Sequence, residues 1–261
     1  MALVALFVFA SCKKNTGVTN QPYDTYGNPA NKGQLKVNLA FAYAVDYANL
    51  RIKLNGAYVS NLLQSRTPFP GGGYNTRGSN FALYMSVPLG SNAVSVVMPR
   101  FGTNVDSVVL FSTNVNVTDN TPQTLHLTDT AANMKSVLIK NNIVGIADGI
   151  CRFNFINLMP NAGAVDLYLN GVLMKSNIAY LASSGAMDIP VGINAPGFVS
   201  GTTTTWAVRK TGSTATSTAL VSYASANGLQ SGVALTGFCM GYASATGTRL
   251  PYLSLTLDRN K

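Results

Sequence analysis

The sequence predicts an all-β chain built as two tandem immunoglobulin-like antiparallel β-sandwich domains. Three observations carry that expectation. Short runs of Val, Thr, Tyr and Leu alternate with polar residues and are punctuated by 24 glycines, the composition of short strands joined by turns. Glutamate, a strong helix former, is absent, and all nine acidic residues are aspartate. The same motifs also occur twice in the same order, as expected of a duplicated module.

In chain order, Ala2 to Ala10 is an unbroken apolar stretch. It is too short to span a bilayer, which takes about 20 helical residues, but suits the core of a secretory signal. Small residues and a cysteine follow, in Phe9-Ala10-Ser11-Cys12-Lys13-Lys14. This resembles a bacterial lipobox, which makes residues 1–11 a lipoprotein signal peptide and Cys12 the lipidation site. No basic residue precedes the apolar stretch, a departure from the usual signal. Residues 12–33, rich in Asn, Gln, Pro and Gly, read as a flexible tether. The partner implied is a membrane, reached through the lipid anchor, with the body of the chain held outside the cytoplasm. The Ala-Ser-Cys-Lys-Lys stretch is similar to envelope lipoproteins of the Bacteroidota. The tether lacks the acidic run that marks surface export there, so the periplasmic face of the outer membrane is expected over the cell surface.

The first sandwich is expected over 34–146 and the second over 147–261, with the turn-forming Ala147-Asp148-Gly149 at the boundary. Leu35–Leu39 and Arg152–Ile156 are equivalent opening strands. Leu50-Arg51-Ile52-Lys53-Leu54-Asn55-Gly56 is mirrored by Val165-Asp166-Leu167-Tyr168-Leu169-Asn170-Gly171, each a strand closing on Asn-Gly. Both residues of that pair tolerate the positive φ of a type I′ hairpin turn. Met85-Ser86-Val87-Pro88-Leu89-Gly90 is mirrored by Met187-Asp188-Ile189-Pro190-Val191-Gly192. Further strands are expected at Ala93–Met98, Ser107–Phe111, Thr124–Leu127 and Ser136–Lys140, and in the second half at Thr204–Arg209, Ala219–Tyr223 and Val233–Met240.

The run from Phe155 through Pro160 and Ala164-Val165-Asp166 to Asn170-Gly171 resembles the signature of the domain-of-unknown-function 4397 family. Ile178-Ala179-Tyr180 and Ile189-Pro190-Val191-Gly192 are similar to its next two blocks. Over 149–261 the likeness is good. Over about 33–140 it is loose, with Tyr47-Ala48-Asn49-Leu50 standing where the Ala-Val-Asp block belongs. The resemblance implies a β-sandwich envelope lipoprotein and brings no activity with it.

A search for chemistry returns little, and no enzyme activity or cofactor is expected. The net charge of +9 reflects scarce acid, and the basic residues form no run longer than the pairs Lys13-Lys14 and Arg209-Lys210. Nucleic acid, which selects a clustered basic stripe, is therefore not an expected partner. His126 is the only histidine; in Thr124-Leu125-His126-Leu127-Thr128 it alternates with leucines and is expected to face solvent. Neither Cys-x-x-Cys nor His-x-x-x-His is present, so no zinc site is expected. Asp46 and Asp166 could be taken for a glycosidase pair, but Asp166 beside a turn suits local hydrogen bonding better. Cys151 and Cys239 could form a disulfide or remain as two buried thiols.

One segment departs from the repeat. Between Gly56 and Met85 the first copy has thirteen more residues than the second has between Gly171 and Met187. This insert carries Arg66, Phe69, Tyr74 and Arg77, the residue types used at sugar and protein contacts, or it is simply a tolerant surface loop. The function expected is a binding or scaffold module for an envelope protein or polysaccharide, with glycan capture by a carbohydrate-binding accessory lipoprotein as the alternative.

Overall fold

The computed structural model describes residues 31–42, 49–103, 105–119, 121–191, 204–225 and 229–261. The chain is all-β. The first half contributes β1 (Lys32–Leu39), β2 (Arg51–Leu54), β3 (Ala57–Tyr58), β4 (Pro68–Phe69), β5 (Met85–Pro88), β6 (Gly90–Pro99), β7 (Asp106–Val117), β8 (Gln123–Thr128) and β9 (Lys135–Lys140). The second contributes β10 (Ile150–Asn157), β11 (Val165–Leu169), β12 (Val172–Ile178), β13 (Met187–Pro190), β14 (Thr204–Lys210), β15 (Val221–Ser225), β16 (Ala234–Met240) and β17 (Tyr252–Arg259).

Each half pairs two sheets, and the strand order is the same in both. In the first half, β4 and β5 flank β1, followed by β8 and β9, over a second sheet β3-β2-β6-β7. In the second half the order is β13-β10-β16-β17 over β12-β11-β14-β15. Among the described residues only β4, which lies in the insert, lacks a counterpart. Most ladders are antiparallel, but β1 runs parallel to β8 and β10 parallel to β16. The first two strands of each half lie in facing sheets, whereas in an antibody constant domain they share one. The Asn-Gly hairpins form as the sequence predicts, with φ of 49° and 84° at Asn55 and Gly56 and 48° and 83° at Asn170 and Gly171.

Each sandwich buries an apolar core between its two sheets. In the first, Leu35, Val37 and Leu39 of β1 and Leu125 and Leu127 of β8 meet Ile52, Val94 and Val96. In the second, Phe153 stacks on Trp206 with ring centroids 4.1 Å apart, within a core completed by Leu167, Val208, Leu235 and Leu255. Burying each such side chain contributes about 1.5–3 kcal/mol.

The strands β1, β8, β16 and β17 are buried on both faces over most of their length, because a third layer of contact joins the two halves. The outer face of the β1-β8-β9 sheet packs on the outer face of the β10-β16-β17 sheet. Ala40, Ile156, Leu158, Phe238 and Met240 form a small apolar cluster there, with Val137, Ile139 and Tyr252 at its rim. The result is four stacked sheets with a seam in the middle. Strand β17 was not anticipated from the sequence, although Leu253-Ser254-Leu255-Thr256-Leu257-Asp258 alternates cleanly and its leucines fill the second core.

Candidate functional site

The seam is built from the polar residues of strands whose apolar residues face the sandwich cores. Period-two alternation places Lys36 and Asn38 of β1 and Thr124, His126 and Thr128 of β8 on the outer face. Thr236 of β16 and Ser254, Thr256 and Asp258 of β17 lie opposite, and all of these are buried. Asp258 is the hub. Its Oδ2 accepts from Thr236 Oγ1 at 2.5 Å and its Oδ1 from Asn141 Nδ2 at 3.0 Å, while Tyr84 O–H donates to its backbone carbonyl at 3.0 Å. The Lys36 ammonium lies 3.7 Å from Oδ1 and donates to Leu257 O. Burial pushes the Asp258 carboxyl above its ordinary range and the Lys36 ammonium below its own, and each partner's charge opposes the other's shift.

His126 corrects the sequence expectation of a solvent-facing ring. It is fully buried in the seam, with Nδ1 3.0 Å from Asn38 Nδ2 and its ring 5.9 Å from that of Phe238. Burial, and secondarily the Lys36 charge, push its pKa down to about 3. Its Nε2 meets no hydrogen-bond partner among the described residues. Leu125 and Leu127 face the first core and His126 the opposite side, as the alternation predicts. The polar face, however, is covered by the other half rather than by water.

The insert also departs from expectation, for it is a clasp rather than a displayed loop. Phe69 lies on β4, paired opposite Val37 and packed on the first core. The chain then crosses to the second half, where Tyr74 N donates to Leu255 O at 2.7 Å and Leu255 N donates back to Tyr74 O at 3.0 Å. Tyr74 thereby packs on the second core. Asn75 Nδ2 bonds Leu253 O at 2.6 Å, Ser254 Oγ bonds Asn75 O at 2.7 Å, and the Arg66 guanidinium stands 4.6 Å over the Tyr252 ring. Of the four residues, Arg77 alone is exposed. Gly73 permits the close approach, since a Cβ there would lie 2.2 Å from Leu255 O. The insert thus covers part of the edge of β17, which would otherwise present unpaired backbone groups. Phe69 and Tyr74 are half-buried, each with its ring packed against a core.

Of the two alternatives left open for Cys151 and Cys239, the structure has the two buried thiols, both free. Cys239 is in register with Asn157, six residues along β10 from Cys151, which separates the thiols by about 20 Å at roughly 3.3 Å per residue. Burial pushes both thiols up to about 12. Asp166 behaves as its local setting suggests: Oδ1 accepts from Asn177 N at 2.8 Å and Oδ2 from Gly212 N at 3.0 Å, tying the β11 strand to two turns. Cys12 and Asp46 lie outside the described residues. Among the described residues no group of three or more His, Cys, Asp or Glu side chains could hold a metal ion, and no helix is long and apolar enough to cross a membrane.

At one end of the seam the two halves part to leave a cavity of about 230 Å³, which the sequence did not reveal. Its walls come from the end of β9 and the residues after it, from β10, from the approach to β13 and from β16, with Asp258 among the lining residues. Arg152 forms one side, held bidentately by Asp188 at 2.6 and 2.8 Å and bonded to Asn142 Oδ1 at 3.2 Å and Val144 O at 2.6 Å. These bonds also pin the segment joining the halves onto the second sandwich, as does Arg259 Nη1 on Ile143 O at 2.9 Å.

Fold and seam together define an all-β protein of two stacked sandwiches. Residues 74–168 match the model of a family described as a domain of unknown function, DUF4397, and the match supports that resemblance. It runs from the clasp at Tyr74 through β5–β10 and into β11, across the seam rather than over the whole second half where the sequence likeness was better. No curated protein matches the chain.

Proposed function

We propose that the chain is an envelope lipoprotein of Bacteroidota type, acylated at Cys12, whose body is a stiff two-sandwich scaffold of tandem DUF4397-like modules. The observation that carries the scaffold reading is the seam. Two sheets are buried against each other and clasped by the insert, so the two halves act as one block rather than as beads on a string. A block of four layers suits presenting or spacing a partner, such as an envelope protein or polysaccharide, at a set distance from its anchor. The duplication is supported by the repeated strand order. Acyl chains on Cys12 would hold the chain to the membrane through about 0.8 kcal/mol per buried methylene.

Two measurements on the native product test this reading. Mass spectrometry should find an N-terminal acylated Cys12, and Cys12→Ala should move the protein from the membrane fraction to the soluble one. An unmodified thiol at position 12 with an intact initiator methionine would overturn the anchoring. Independent tumbling of the two halves in NMR relaxation would overturn the scaffold.

A further inference from the structure

We propose that β7 is a pairing edge through which two copies of this chain associate, antiparallel about a two-fold axis at Asn114, joining two four-stranded sheets into one. This goes beyond the scaffold reading and does not rest on it, since every group involved belongs to the first sandwich.

A strand at the end of a sheet leaves every second residue with its backbone N–H and C=O unpaired, a template for a further strand. Elsewhere the fold limits that exposure. Strands β3, β4, β5 and β13 are only two to four residues long. Strand β9 begins and ends on Lys135 and Lys140, β12 carries Lys175 and register shifts, and β17 is clasped by the insert. Strand β7 is different. It runs for twelve residues at the end of its sheet, where its counterpart β15 has five, and among the described residues it pairs only with β6. The turn at Ala131–Asn133 lies near it, but no backbone bond reaches it from there or from any other described residue.

Register sets the usable stretch. From Gly90–Val117 to Val96–Phe111 the ladder with β6 is unbroken, and beyond Val96 it shifts. Phe111 to Val117 is therefore the regular part, seven residues with Asn114 at the middle. It holds no charge, no proline and no glycine, and short uncharged segments of this kind pair with copies of themselves. That favours a second copy over a foreign peptide. The edge has no charge with which to select another sequence, and in a chain of net charge +9 it is a place where an identical strand meets no like charge.

About an axis at Asn114 both rows of side chains match. On the outer row, exposed throughout, Asn114 meets its own copy and Ser112 meets Asn116, all able to exchange hydrogen bonds. On the inner row Val115 and Val117 are buried and Phe111 and Thr113 half-buried. There Thr113 meets Val115 and Phe111 meets Val117, so the row that lines the first core continues across the axis.

The test is sedimentation of the full chain carrying Cys12→Ala, so that acyl chains do not drive association. The 27.5 kDa monomer should shift toward twice that mass as concentration rises to about 1 mM. Asn114→Lys, which sets two ammonium groups against each other at the axis, should weaken dimerisation by about tenfold or more. Asn114 is exposed, so an unchanged unfolding midpoint will show that the variant folds. Asn114→Cys should form an intermolecular disulfide under mild oxidation, because residues directly opposite in an antiparallel pair have Cα atoms about 4.5–5.5 Å apart. Ser112→Cys should not, since its copy lies four residues further on, about 13 Å along the strand. The proposal is overturned if the chain stays monomeric to about 1 mM, if Asn114→Lys dimerises as tightly as its parent, or if Asn114→Cys crosslinks no more readily than Ser112→Cys.

Discussion

Lowering the pH through the range of an ordinary histidine should weaken this fold by a calculable amount, because the chain has one histidine and it is sealed in the seam. In the unfolded chain His126 takes up a proton near pH 6.5, whereas in the folded chain it does so only near 3. Asn38 Nδ2 donates to Nδ1, so the neutral ring carries its hydrogen on Nε2. Protonating Nδ1 would set two donors against each other beside the Lys36 charge. Between these pH values the unfolded state holds one more proton than the folded state, so stability rises with pH, by about 1.36 kcal/mol per unit. The contribution is fully present above 6.5 and is lost as pH falls, roughly 2.7 kcal/mol by pH 4.5 and roughly 5 kcal/mol by pH 3. Asp258, held above its ordinary range, acts in the opposite sense, and comparison with a variant cancels it to first order. Urea unfolding of the native chain and of His126→Gln from pH 7 to pH 4 should give stability slopes differing by one proton below pH 6. Equal slopes, or a folded-state imidazole titrating near 6.5 by NMR, would refute the reasoning.

Three further outcomes follow from the same geometry. Lys36→Met and Asp258→Asn should each destabilise the chain by about 3–5 kcal/mol, because each strands a buried partner, while a Lys36→Met/Asp258→Leu double variant should lose much less than their sum in urea unfolding. Gly73→Ala should force the clasp off β17, costing about 1–3 kcal/mol, and hydrogen exchange at the Leu255 amide should quicken far more than at amides of β11. With Cys12 replaced by Ala, Cys151 and Cys239 should resist iodoacetamide at pH 8 in the folded chain and react fully in urea, without prior reduction.

The elements were legible because they are local. Asn55-Gly56 and Asn170-Gly171 specify their turns through φ alone, and Leu125, Leu127, Phe153 and Phe155 mark core faces through alternation with polar neighbours. What alternation cannot say is what covers the polar face. Thr124, His126 and Thr128 have the spacing of a solvated edge, and so do Ser254, Thr256 and Asp258. Only the three-dimensional stack shows that these two polar faces cover each other. The parallel pairing of β1 with β8 was equally hidden, since strands so far apart in sequence leave no local signal of their register. The insert misled for a related reason: Arg66, Phe69 and Tyr74 have the composition of a recognition loop, and they do make recognition contacts, but with their own chain.

A polar seam is also a reasonable solution to a problem that the duplication creates. If two sandwiches stacked through wholly apolar outer faces, each would expose a flat hydrophobic sheet while the other half was still being made, and sheets of that kind aggregate. The outer faces here set the small apolar cluster of the seam among Lys, Asn, His, Thr, Ser and Asp, so much of each face can stay hydrated while its half folds. Docking then exchanges water for a small number of directional bonds. The Lys36–Asp258 pair and the hydrogen bonds of Asn141 and Thr128 are satisfied in one alignment of the sheets, and Thr128 Oγ1 reaches Leu158 O at 2.5 Å only when the faces are in that register. Burying these groups contributes little net stability, as buried ion pairs generally do not repay their desolvation. What they contribute is a single geometry. That is why the double Lys36→Met/Asp258→Leu replacement is the informative one: it should leave a stack of comparable stability, in which the relative orientation of the halves is less sharply defined and the cavity beside Asn141 loses its fixed shape.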